Sequence, residues 1–153
     1  MSTSTRRIAR RQFAILIPMV PAALLPQAAR GFAEDTPYAA LARFATALSE
    51  GDSAAAVASF DTASPQFGAL ESAVRALTAQ TEILCSIEVL QESASNADRV
   101  LDADWYLQMR TKGDGGPTER RRKRLSVTVR AVGGKWKIVS LSLPSVLAPI
   151  NIP

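Results

Sequence analysis

The chain has 153 residues and a formal net charge of +4, which gives room for one domain of ordinary apolar content. Five arginines and no acid fall in residues 1–33, so residues 34–153 come to −1 and lack the basic field that steers a protein to nucleic acid. A single cysteine, Cys85, and no histidine exclude an internal disulfide, a His-based catalytic triad and a Cys/His zinc site; no metal and no cofactor is expected.

Residues 1–33 read as an export segment. Arg6, Arg7, Arg10 and Arg11 precede an apolar stretch from Phe13 to Leu25, and the small residues Gly31 and Ala33 stand just before the acidic Glu34-Asp35. This is the layout of a cleavable signal peptide. Arg10-Arg11-Gln12-Phe13-Ala14 resembles the twin-arginine motif, with Ala9 where Ser or Thr is usual. Pro18, Pro21 and Pro26 interrupt the stretch, which is shorter than the ~20 residues that span a bilayer, so no membrane anchor is expected after cleavage. A periplasmic or extracellular location follows.

Residues 34–153 then form the domain, with an extended apolar tail over 144–153. Thr36-Pro37 opens a first helix whose inner face is Leu41, Phe44, Ala45 and Leu48. After Glu50-Gly51-Asp52, a second short helix is expected through Phe60, capped by Asp52 or Ser53. Past the loop Asp61–Pro65, a third helix turns Phe67, Leu70, Val74 and Leu77 inward.

Beyond residue 80 the apolar period falls to two. Ile83, Cys85, Ile87 and Val89 define one strand, Leu101 to Met109 a second, and Leu125, Val127, Val129 and Ala131 a third. Gly133-Gly134 is a two-residue hairpin turn that sets Trp136 opposite Ala131 and Ile138 opposite Val129. The fold class expected is α+β: N-terminal helices packed on a curved four-strand antiparallel meander, a cone-shaped two-layer domain.

The order of these elements resembles the nuclear transport factor 2-like superfamily, which includes ketosteroid isomerase and the SnoaL-like proteins. The residues that carry the likeness are Phe44–Leu48, Glu50-Gly51-Asp52, Ala56–Asp61 and Gly133-Gly134-Lys135-Trp136-Lys137-Ile138, within residues 36–143. The resemblance implies a pocket between helices and sheet and a dimer made through the outer sheet face. It does not imply one activity, because the fold serves enzymes, ligand binders and non-catalytic partners.

Phe44, Phe60, Trp105, Trp136 and Ser140 are the expected lining of such a pocket, with core packing the plainer role of the aromatics. Asp61 is the acid near its mouth and Tyr38 the available hydroxyl. Each also has a simpler role, in a turn and at a helix start, and no catalytic dyad is assembled from them. In the run Arg120-Arg121-Arg122-Lys123-Arg124, pairing with acids of the neighbouring strand is the expected role, and an anion held by Arg121 and Lys123 is the alternative. Matching the core faces puts Gln108 opposite Arg122 and Tyr106 opposite Arg124. No nucleic acid is expected as a partner.

Leu84, Leu90, Val139, Leu141 and Leu143 share the outer parity and call for a cover, either a second subunit of a homodimer or the tail. Cys85 reads as a buried, inert thiol near Trp105. The leading expectation is an exported domain that is non-catalytic or binds a small hydrophobic molecule. The alternatives are an isomerase- or dehydratase-type enzyme, and an interaction module using the outer face.

Overall fold

The computed structural model of the protein describes residues 35–151, so the export segment expected over 1–33 lies outside the described residues. Three helices come first: α1 (Pro37–Ser49), α2 (Ser53–Val57) and α3 (Phe67–Gln80). Four strands follow, β1 (Thr81–Ser95), β2 (Asp98–Thr111), β3 (Thr118–Val132) and β4 (Lys135–Leu141), and then a 3-10 turn at Pro144–Leu147. Each strand pairs antiparallel with the next in the order β1-β2-β3-β4, the expected α+β meander.

Local chemistry sets the helix ends. Thr36 Oγ1 accepts the Ala39 amide at 3.1 Å, and Pro37 occupies a first-turn position that needs no donor. At the other end Gly51 adopts φ of +73°, which lets the Gly51 and Asp52 amides reach the carbonyls of Leu48 and Ala47. Between them α1 buries Ala40, Leu41, Phe44, Ala47 and Leu48. Asp52 caps α2 by accepting the Ala55 amide at 2.9 Å.

The second helix is shorter than expected and stops at Val57. Phe60 instead makes a parallel bridge to Ile138: the Asp61 amide donates to the Ile138 carbonyl and the Ile138 amide to the Ser59 carbonyl, both at 2.8 Å. Pairing with an edge strand satisfies backbone groups that a further helical turn would otherwise have served.

Two of the three hairpins turn on two residues. Gly133 and Gly134 take φ of +60° and +85°, and the register sets Trp136 opposite Ala131 and Ile138 opposite Val129 as expected. The first hairpin turns at Asn96-Ala97, with Asn96 at φ of +57°, and it carries β1 six residues past Val89. Gln91 to Ala97 are exposed on both faces, so no alternation marks them as strand.

Two register expectations are corrected. Between β2 and β3, Tyr106 faces Arg122, Gln108 faces Arg120 and Asp104 faces Arg124. The shift from the expected pairing is two residues, which keeps every side chain on its own face and so leaves no trace in the periodicity. Between β3 and β4 the register breaks at Val139: Val129 faces Ile138, but Thr128 faces Ser140 and Val127 faces Leu141. This bulge inverts the parity of the strand end. Leu141 is buried at 1% exposure, and Ser140 stands beside Thr128 on the outer face.

Side chains from the loop before α3 hold the bulge. The Ser64 hydroxyl donates to the Val139 carbonyl. The Gln66 carboxamide accepts the Leu141 amide at 3.0 Å and donates to the Leu141 carbonyl at 3.3 Å. A single glutamine thus replaces the backbone of an absent neighbouring strand.

The core lies between the inner sheet face and the helices. It includes Leu101, Ala103, Trp105, Leu107, Met109, Val127 and Val129 of the sheet, and Val146, Leu147 and Ile150 of the tail. The tail therefore enters the core rather than covering the outer face. Each buried Leu, Val, Ile or Met side chain of this core contributes about 1.5–3 kcal/mol by its burial.

Candidate functional site at the mouth of the cone

The aromatics expected to line a deep pocket pack on one another. The Phe44 ring lies 5.2 Å from that of Phe60 and 5.7 Å from that of Trp105, both tilted at 48°. Phe44 and Trp105 are fully buried and Phe60 is 2% exposed. Tilted contacts at this distance are favourable aromatic packing. The Trp105 Nε1–H is buried with no acceptor among the described residues. Trp136 is half-buried at the hairpin, with the Arg99 guanidinium 5.9 Å from its ring centroid. Its amide donates to Asp35 at 2.7 Å, and the ion pair between Asp35 and Arg43 ties the hairpin to α1. The Arg43 guanidinium holds the Asp35 carboxyl below its usual range.

Beside Phe60 the surface opens into a groove of about 370 Å³ lined by Phe60, Asp61, Thr62, Phe67, Val132 and Lys137. The bridge to Ile138 positions Phe60 and Asp61 on its wall. Asp61 is 7% exposed. Its Oδ1 accepts the Ala63 amide at 3.0 Å, closing an Asx turn, and among the described residues no hydrogen bond engages Oδ2. Lys137 reaches across with Nζ 2.6 Å from the Ala58 carbonyl. The groove joins apolar rings to a carboxylate oxygen with acceptor capacity to spare.

Tyr38 is elsewhere. It is 45% exposed, and its hydroxyl donates to Glu92 Oε2 of β1 at 2.6 Å. The bond to that carboxylate pushes the phenol above its ordinary value. Asp61 is bonded to β4, so the hydroxyl and the carboxylate attach to opposite edge strands of the sheet.

The basic run divides as strand parity requires. Arg122 pairs with Asp104 at 2.6 Å and Arg124 with Asp102 at 2.5 Å, while Arg120 meets the neutral Gln108 at 3.1 Å. Arg130–Asp98 and Arg110–Glu82 continue the ladder over the outer face. Hydrogen bonds from Arg130, Arg124 and Arg122 hold the carboxyls of Asp98, Asp102 and Asp104 below the usual aspartate range. The offset pairs Arg122–Asp104 and Arg124–Asp102 are diagonal in the observed register.

Arg121 points inward and is engaged by the protein itself: Nε donates to Glu119 at 2.5 Å, and Nη1 to the carbonyls of Val146 at 3.0 Å and Ala148 at 2.5 Å. Lys123 is exposed and makes no salt bridge among the described residues. The two therefore do not form a pair of free cations. With Leu141 turned inward, Leu84, Leu90 and Leu143 are the members of the expected outer set that remain exposed.

Cys85 faces Leu107, two pairs along the ladder from Trp105, and burial pushes its thiol up to about 12. Among the described residues no cluster of three or more His, Cys, Asp or Glu is arranged to hold a metal ion. The roles of Ser64, Gln66 and Arg121 carried no signal in the sequence, because each serves backbone distant along the chain.

No protein-family model matches the sequence, and neither does any curated protein. The three helices closing one face of a four-strand meander form the cone fold of nuclear transport factor 2-like proteins. Solved structures share it. A protein provisionally named a scytalone dehydratase from Novosphingobium aromaticivorans superposes with a TM-score of 0.59 at 12% identity, covering 80% of this chain and 85% of that one. A provisionally named dehydratase of the nuclear transport factor 2-like family from Streptomyces avermitilis gives 0.56 at 15%, covering 67% and 88%. A nuclear transport factor 2-like superfamily protein from Salmonella enterica gives 0.53 at 14%, covering 74% and 89%. At these identities the likeness is one of fold.

Proposed function

We propose that the protein is an exported domain that binds a small molecule at the mouth groove and does no chemistry on it. The ligand class is a compact apolar body carrying a hydrogen-bond donor. Phe60, Phe67 and Val132 take the apolar part, and Asp61 Oδ2 takes the donor. The observation that carries this reading is the juxtaposition of a nearly buried carboxylate with half-buried and exposed apolar side chains in one groove, while the cone interior behind it is filled by Phe44, Trp105 and Leu147.

Two of the similar structures are provisionally named dehydratases. General acid–base chemistry uses a side chain positioned within hydrogen-bond reach of the proton it moves. Here the available hydroxyl, Tyr38, is bound to Glu92 on the far edge strand, which favours binding without turnover. Export is inferred from residues 1–33, and a domain with one cysteine and a self-contained core is suited to crossing a membrane already folded.

The reading is tested by amide NMR of the processed domain titrated with 4-ethylphenol as probe. Shifts confined to residues 60–67, Val132 and Lys137, and lost in V132K, are the expected result. Asp61→Asn keeps the Oδ1 acceptor of the turn and weakens binding by removing the charge. Shifts centred on Leu101, Trp105 and Leu147, or no binding at millimolar probe, would overturn it.

A further inference from the structure

The fourth strand is much shorter than the third. β4 pairs with Val127–Val132 alone, and Ser142 adds one more contact by exchanging bonds with Ser126: its amide donates to the Ser126 carbonyl at 2.9 Å, and its Oγ accepts the Ser126 amide at 2.8 Å. From Thr118 to Leu125 the edge of β3 away from β2 has no strand beside it among the described residues. Because Ser126 bonds toward β4, alternation sends the amides and carbonyls of Arg120, Arg122 and Arg124 to the same open side. None of these backbone groups has a partner there among the described residues.

This edge borders a groove of about 660 Å³, whose other side is the tail at Leu143, Val146 and Pro149. We propose that the groove receives an extended acidic segment of another protein as an added strand on β3. Main-chain bonds to Arg120, Arg122 and Arg124 would supply affinity, and side-chain charge would supply selection.

Charge chooses the occupant. Glu119, Asp104 and Asp102 neutralise Arg121, Arg122 and Arg124. Two cations are left over, Arg120 on the outer parity, bonded to neutral Gln108, and Lys123 on the inner parity, with no carboxylate partner among the described residues. An incoming strand alternates its side chains between these same two faces, so acids at an odd spacing reach both cations. A second copy of this edge would bring cations against cations. Residues 1–33, with five arginines and no acid, are excluded on the same ground. The surface is separate from the mouth groove, and the proposal does not depend on the ligand reading.

The test uses the processed protein and a capped octapeptide of threonine and valine carrying two glutamates three positions apart. The expected result is that the amides of Arg120, Arg122 and Arg124, which exchange rapidly in the free protein, gain protection on adding peptide. The amides of Arg121 and Lys123, already bonded to β2, stay as they were. K123Q and R120Q each weaken binding by about tenfold, the loss of one charge contact. N-methylation of alternate peptide residues abolishes binding without altering the protein. The proposal is overturned if the three amides remain unprotected at millimolar peptide, if a lysine-containing peptide binds equally well, or if protection rises with protein concentration alone, which would make the edge a contact between copies.

Discussion

The guanidinium of Arg121 on β3 donates to the carbonyl oxygen of Val146 at 3.0 Å, so a residue of the basic run latches the C-terminal tail into the core. The same Nη1 also serves Ala148, and Leu147 between them is fully buried. Arg121→Met keeps much of the side chain's apolar stem but leaves two carbonyls without their donor and Glu119 without its cation. A loss of about 2 kcal/mol in unfolding free energy is expected by denaturant titration. K123M, one residue along on an exposed side chain, changes stability by less than about 0.5 kcal/mol.

The bulge at Val139 makes a sharp contrast between neighbours. Leu141→Ala removes a buried side chain and costs about 2–5 kcal/mol. Ser140→Ala, on the outer face beside Thr128, is close to neutral. Equilibrium unfolding of the two variants measures this directly. The opposite ranking would restore the unbroken alternation that the sequence suggests.

Cys85 predicts an alkaline dependence. Its thiol has a folded value of about 12 against an ordinary value of 9.0. Between those values the folded state holds a proton that the unfolded chain releases, so the contribution to stability is complete below pH 9 and falls as pH rises toward 12. Cys85→Ala should flatten that part of the stability profile. A maleimide probe at pH 8 should label the thiol after unfolding but not before.

The outer ladder predicts an acid dependence of the opposite sign. Asp98, Asp102 and Asp104 are held below their ordinary 3.8 by Arg130, Arg124 and Arg122. Their contribution is present above about pH 4 and is lost as pH falls through the lowered folded values. These pairs are exposed, so salt weakens them. NMR titration of the carboxyl carbons should show Asp104 rising toward its ordinary value in R122Q and by less in wild type at high salt.

The sequence made the element order, the inner face of each element and the glycine hairpin legible, because apolar period and positive-φ turns are local properties. It did not carry the β2–β3 register, since a slip of two residues leaves every face unchanged. Nor did it carry the Val139 bulge, which depends on Ser64 and Gln66 reaching a strand 75 residues away. The bulge is what moved Ser140 out of the expected pocket and Leu141 into the core. The periodicity turns Phe44, Phe60 and Trp105 inward, and they are buried; whether rings fill a cone or line it depends on the tail, whose burial no periodicity announces.

The proposed role as an exported binding domain is tested most directly by native mass spectrometry of the protein recovered from its own export compartment. The predicted spectrum shows a chain beginning near Glu34 and carrying a retained small molecule, which is absent when V132K is recovered in the same way. A chain that still carries residues 1–33, or a processed chain whose retained molecule is unaffected by V132K, would contradict it.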